Sequence, residues 1–136
     1  MKLMIDLNLL LDVFQKRQPH YNASAQVLDF ALKNNCGYVA AHAITTLHYL
    51  VTRYADRRQA NELTDWLLKN FTIAPADQST FLRARTLNFA DFEDAVVCAC
   101  AEQQHCQYIV TRNSKDFLLA SVAVATPAEF LASVIS

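Results

Sequence analysis

Apolar and polar positions along the chain switch repeatedly between short apolar runs and helical spacing. Residues 2–5 (KLMI) read as a short buried strand, and beyond Asp6 the segment LNLLLDVFQ carries apolar residues at helical intervals, so a strand runs straight into a helix. Pro19 opens a second helical stretch reaching about Lys33, with Ala25, Val27, Leu28, Ala31 and Leu32 as its apolar stripe, and Asn34-Asn35-Cys36-Gly37 stops it. Residues 38–41 form a second strand. The spacing then predicts helices over 42–54, through Ile44, Leu47, Leu50 and Val51, and over about 57–70, with Leu63, Trp66 and Leu67 inward. Residues 71–74 are a third strand bounded by Pro75, and 77–87 another helix. Asp91 is placed to cap a helix over 92–104 that is rich in Ala, Val and Cys and apolar nearly all round, as a helix packed on a sheet should be. A fourth strand at 108–110 ends in the turn-like TRNS of 111–114, and a fifth at 122–125 precedes a last helix from Pro127.

Strands that alternate with helices, and that are apolar throughout instead of at every second position, belong to a parallel sheet covered on both faces. The expectation is an α/β fold: a three-layer α/β/α sandwich around a short, mostly parallel sheet of about four or five strands. No repeat or linker interrupts the 136 residues, so one domain spans 1–136, large enough to bury about two-thirds of its unfolded surface. A hydrophobic fraction of 53% against 18% charged excludes a disordered chain, and one Gly with three Pro leaves little room for long loops.

A formal charge of −1 gives no whole-protein field for a polyanion, so any contact with nucleic acid must be local. The basic side chains open to that role are Lys16 and Arg17, then Arg53, Arg57 and Arg58, Arg83 and Arg85, and Arg112 and Lys115; the plainer alternative is that they solvate helix faces. Cys36, Cys98, Cys100 and Cys106 form no C-x-x-C pair and meet no His at zinc-finger spacing, so neither structural zinc nor a disulfide is expected. Free thiols fit a reducing cytoplasm. MKLMIDLNLL is interrupted by Asp6 and lacks a small-residue cleavage site, and no stretch reaches the ~20 apolar residues of a membrane span.

Against this apolar background the acids stand out. Asp6, Asp91, Asp94 and Asp116 each lie at or beside the end of a buried strand or the start of a helix. A buried unpaired carboxylate costs several kcal/mol or takes up a proton, so a converging set is best stabilised around a cation. Hard Mg²⁺ or Mn²⁺ prefers oxygen ligands and is held by a few carboxylates, for which Asp6, Asp94 and Asp116 suffice. A metal so held can activate water and neutralise charge on a phosphodiester under in-line attack. Taken singly, Asp6 or Asp94 has the alternative reading of a helix cap.

The order MIDLNLLLDVF, DFEDAVVCACA and YIVTRNSKDF resembles the PIN-domain family of metal-dependent ribonucleases over essentially the whole chain, in the bacterial branch that includes VapC-like toxins. The resemblance implies a metal pocket lined by Asp6, Asp94 and Asp116, with Mg²⁺ or Mn²⁺ as cofactor, RNA as substrate, an antitoxin as protein partner and self-pairing into a homodimer. The amphipathic stretch 53–66 is either a dimer surface or core. Asn113 matches a polar or acidic position in the family's last turn, and Asn8 its D-x-N opening, where it would orient Asp6. Arg112 and Lys115 are the expected phosphate contacts, although Arg112 equally suits neutralising the acid cluster.

One departure from the family pattern concerns the helix after the second strand. Relatives usually carry an acid there, and aligning AAHAITTLHYLVTR puts Thr46 at that place, a hydroxyl that adds no charge. Thr46 and Asp91 are therefore expected at the pocket rim, with His42 one turn before Thr46 on the same face and His48 less placed. Asp12 reads as a solvated helix acid or a partner for Lys16. The leading function is an Mg²⁺/Mn²⁺-dependent endoribonuclease, in one reading the toxin of a pair. The alternative is a degenerate PIN domain that binds RNA or a protein without cleaving. A phosphoryl-accepting response-regulator-like domain ranks below both, because no lysine ends a late strand.

Overall fold

The computed structural model describes residues 1–135, Ile135 by its backbone alone. Its strands are β1 (Leu3–Ile5), β2 (Gly37–Ala40), β3 (Thr72–Ala74), β4 (Tyr108–Val110) and β5 (Ala123–Ala125), joined in the order β3-β2-β1-β4-β5. Every pairing is parallel: Met4 lies between Tyr38 and Ile109, Val39 opposite Ile73, and Ile109 opposite Val124. These strands are short because each feeds a helix almost at once. The helices are α1 (Leu7–Phe14), α2 (Tyr21–Lys33), α3 (Ala41–Tyr54), α4 (Arg57–Asn70), α5 (Gln78–Thr86), α6 (Phe92–Gln103) and α7 (Pro127–Ile135).

The chain steps from β1 to β2 to β3 in one direction, then crosses back to β4 and β5, and right-handed crossovers therefore lay helices on opposite faces. In agreement, α1 packs on α2 and α3, α2 on α7 and α3 on α4, while α5 packs on α6, which lies against β2 and β4. The result is the expected three-layer sandwich, with a five-stranded parallel sheet. Reversal of direction at β1 opens a crevice at the carboxyl ends of β1 and β4, the usual ligand position in such sheets.

The core runs through the sheet into both helix layers: Leu3, Met4, Ile5, Val39 and Ile109 from the strands, Leu9, Leu47, Val51 and Leu67 from one side, and the run Ala95 to Ala101 of α6 from the other. Burial of each large aliphatic side chain stabilises by about 1.5–3 kcal/mol. The single glycine, Gly37, sits where a Cβ would lie 2.5 Å from the Phe71 ring and 3.2 Å from Ala31 Cβ. Left-handed positions just beyond α1, α2 and α6 fall instead to Lys16, Asn35 and His105, with φ of 50°, 49° and 57°.

Some expectations need correction. Leu32 and Trp66 are each 36% exposed, on the margins of their helices' apolar stripes; Trp66 leans on Phe71 with ring centroids 5.5 Å apart. The second helix starts at Tyr21, two residues past Pro19, and Phe71 caps α4 instead of opening β3. The turn expected after β4 runs on into Ser114–Phe117, a turn of 3-10 helix, which carries Lys115 and Asp116.

Candidate functional site

Asp6 follows β1 directly and occupies the N-cap position of α1, yet its side chain makes no capping hydrogen bond. Its carboxylate, 8% exposed, turns instead to β4, where the buried Thr111 hydroxyl donates to Oδ2 at 2.7 Å. The backbone repeats the link, Asp6 N donating to Val110 O at 3.1 Å. Burial pushes the Asp6 carboxyl above its usual range, partly offset by the Thr111 hydroxyl, the Leu7 amide, the Asn8 side chain and the Arg112 charge.

Across the crevice, Asp91 caps α6. Its Oδ1 accepts from the Glu93 and Asp94 amides at 2.8 and 3.2 Å, fixing both acids in the first turn. The capping role foreseen for Asp91 is thus real. Asp94 is partly buried and its pKa is pushed up to about 7, first by burial and then by the negative charges of Asp91, Asp6, Asp116 and Glu93. Asp116 arrives on the 3-10 turn, whose entry is held by Asn113 N donating to Thr111 Oγ1 at 3.1 Å and Asp116 N to Asn113 O at 2.9 Å.

These groups face one pocket of about 240 Å³. Of the residues singled out from the sequence, Asp6, Asn8, Asp91, Asp94, Asn113 and Asp116 line it. Thr46 does not; it stands behind the wall, its hydroxyl 3.1 Å from Glu93 Oε1 and 3.3 Å from the His42 carbonyl. Lys115 lines an adjoining cleft that shares Asp91 and Asp116 with the pocket. His48 points away, bonded to Asn61 of α4 at 2.8 Å.

One acid of the wall, Glu93, went unassigned in the sequence, and His42, noted there for sharing a face with Thr46, lines the pocket beside it. Glu93 was visible only as the third letter of DFED, although a first-turn position beside Asp94 is where a helix favours an acid. Both ring nitrogens of His42 are buried without a hydrogen-bond partner, and burial lowers the ring's affinity for a proton, against the opposing charge of Glu93.

Asp12 and Arg112 are corrected together. Asp12 is fully buried and pairs neither with solvent nor with Lys16. Its Oδ2 accepts from Ser24 Oγ of α2 at 3.1 Å and lies 2.8 Å from Arg112 Nε, while Arg17 stands 4.0 Å from Oδ1. The Arg112 Nε–H does not point along its short contact, so charge more than hydrogen-bond geometry holds the pair. Arg112, 21% exposed, is therefore committed to an acid outside the pocket, not extended toward a phosphate.

An all-oxygen donor set in which carboxylates crowd enough to hold a proton near neutrality has the chemistry of a hard divalent-cation site. As the side chains stand, no group of three or more His, Cys, Asp or Glu among the described residues is gathered closely enough to hold a metal ion.

Comparison with known proteins agrees with this architecture. The sequence matches the family described as PIN domain over residues 2–115. It is 24% identical over 134 residues to Ribonuclease VapC1 of Aquifex aeolicus (strain VF5), covering 95% of this chain and 92% of that protein. Among solved structures, it resembles VapBC2 from Rickettsia felis bound to a promoter DNA fragment, with a TM-score of 0.75 and 17% identity over 93% of this chain and 98% of the other. A toxin-antitoxin complex from Klebsiella pneumoniae follows at a TM-score of 0.70 and 24% identity, over 93% and 98% of the two chains.

Proposed function

The chain belongs to the PIN domain family, and from that premise we propose that it is an Mg²⁺- or Mn²⁺-dependent endoribonuclease, the toxin of a toxin-antitoxin pair. The observation that carries this reading is the meeting of Asp6, Asp94 and Asp116, from β1, α6 and the turn after β4, in one pocket at the carboxyl edge of the sheet. Likeness to a VapC ribonuclease and to toxin-antitoxin complexes supports it.

In this reading Asp6, Asp94 and Asp116 hold the cation, which when bound supplies Lewis acidity toward the phosphodiester and acidifies a water. The chain's own work is to fix oxygens and admit RNA. Thr111 holds Asp6 at 2.7 Å, and Asp91 holds the turn that carries Asp94. Lys115, exposed beside Asp116, is the cation placed for the RNA phosphates, with Arg112 withdrawn to Asp12. Asn8 and Asn113 offer amide donors or acceptors at the rim.

A protein partner has its own support. Leu10, Val13, Phe14, Leu28, Leu63 and Trp66 line a wholly apolar cleft between α1, α2 and α4, suited to apolar side chains of an antitoxin. Tyr49, Tyr54 and Leu68, exposed on α3 and α4, offer further apolar surface for self-pairing.

Purified protein incubated with RNA and Mn²⁺ is expected to cleave internally, and cleavage is expected to vanish with EDTA and in Asp6→Asn. Cleavage that persists in both refutes the reading. Thr46, which brings no charge to α3, favours the second reading of a PIN domain that binds RNA or a partner without cutting; RNA binding with intact RNA at saturating Mn²⁺ would establish it.

A further inference from the structure

Helix α3 forms one wall of the pocket through His42 and Ala43, yet its whole sequence, AHAITTLHYLVTRY, contains no acid. The negative charge on that side comes from elsewhere. We propose that Glu93 of α6, held by the Thr46 hydroxyl, supplies to this pocket the carboxylate that α3 lacks. The proposal rests on the reading of the pocket as a divalent-cation site.

The key contact joins helices from opposite faces of the sheet. Thr46 Oγ1 lies 3.1 Å from Glu93 Oε1, a bond between residues 47 positions apart that closes over the carboxyl edge. The same hydroxyl is 3.3 Å from the carbonyl of His42, one turn back on its own helix. A hydroxyl has one proton, and the nearer, charged acceptor makes the stronger bond. Glu93 is exposed, so without this anchor its flexible side chain would sample solvent; with it, the carboxylate is drawn from α6 toward the position where an acid on α3 would project.

The rest of the turn fits. Asp91 Oδ1 accepts from the Glu93 amide at 2.8 Å, so the backbone that carries the carboxylate is fixed while the side chain reaches for Thr46. An acid in the first turn of α6 is also favoured by the helix N-terminus, whereas α3 would gain nothing from one near its middle. Glu93 thus brings a charge to the mouth, where it adds least among the acids that crowd Asp94. Thr46 is a positioning residue, acting only through Glu93.

The test is calorimetric titration of the full-length protein with MnCl₂, with folding checked by circular dichroism. Glu93→Gln and Thr46→Val are each expected to weaken Mn²⁺ binding ~3- to 10-fold, an exposed carboxylate being screened relative to a buried one. Thr46→Ser keeps the hydroxyl and should bind as the parent does. Thr46→Glu combined with Glu93→Gln moves the acid back to α3 and should recover affinity. An unchanged dissociation constant in Glu93→Gln overturns the proposal while leaving the cation site intact. Loss in Glu93→Gln with none in Thr46→Val, or equal loss in Thr46→Ser and Thr46→Val, overturns the positioning role. Absence of Mn²⁺ binding by the parent protein overturns the cation reading itself, and this inference with it.

Discussion

Arg112→Ala is expected to be the most destabilising single change near the site, though it removes nothing from the pocket. Arg112 Nε lies 2.8 Å from Oδ2 of a completely buried Asp12. At an effective dielectric of about 20 that separation corresponds to ~6 kcal/mol of gross attraction, most of it balanced by the cost of bringing both charges out of water. Truncating Arg112 removes the attraction and leaves the cost on Asp12. What remains is the Ser24 hydroxyl at 3.1 Å and Arg17 at 4.0 Å, one neutral and the other more exposed, so compensation is partial. A loss of about 3–5 kcal/mol follows, the usual consequence of an orphaned buried charge.

Urea unfolding at pH 7, followed by circular dichroism and by the fluorescence of Trp66, reads this directly. The complementary variant Asp12→Leu/Arg112→Met replaces the pair with apolar volume and is expected within about 1 kcal/mol of the parent, because both the attraction and the desolvation cost go together. Two results refute the reasoning: a cost below ~1 kcal/mol for Arg112→Ala, or a double variant whose loss equals the sum of its single changes.

Other consequences are more local. Asp94, with a folded pKa of about 7 against an ordinary 3.8, takes up a proton on folding between those values, so without divalent cation stability should fall as pH rises from about 4 to 7 and Asp94→Asn should flatten that fall in thermal melts; a profile identical in both proteins contradicts it. Mn²⁺ binding at pH 6 should release protons as the cation displaces one from Asp94, seen as binding heats that change with buffer ionisation enthalpy; buffer-independent heats exclude this. Gly37→Ala puts a Cβ 2.5 Å from the Phe71 ring, itself packed against Trp66, and should cost about 1–3 kcal/mol in the same urea assay. His105→Gly, at an exposed left-handed position, should instead stabilise by about 1 kcal/mol, and a loss there would mean the imidazole has a structural role.

The frame was legible because its signals are local. Short apolar runs next to helical spacing gave the strands and helices to within a residue or two, and their alternation gave the parallel sheet. A parallel α/β sheet places strand ends together, so Asp6 and the turn after β4 were bound to meet, and the capping position of Asp91 carried Asp94 to them. What failed depends on partners far apart in sequence. Asp12 looked like a solvated acid because Lys16 stands four residues away, whereas its true partners, Ser24 and Arg112, come from α2 and from the far side of β1. Trp66 and Leu32 have the spacing of core residues but sit at stripe edges, where periodicity cannot tell burial from margin.

Glu93 is the sharper case. Its neighbours in sequence mark it as an ordinary first-turn helix acid, and the bond to Thr46, 47 positions away, ties it to the α3 side of the pocket wall. The same contact explains why Thr46 was legible as a position but not as a role. The family resemblance put Thr46 where an acid was expected, while the carboxylate that meets Thr46 lies on a helix of the opposite layer. A chain can thus keep the charge of a site while moving the residue that bears it, provided another side chain at the old position reaches across to hold it. Sequence comparison column by column counts such a site as one acid short; geometry counts the acid on the other wall.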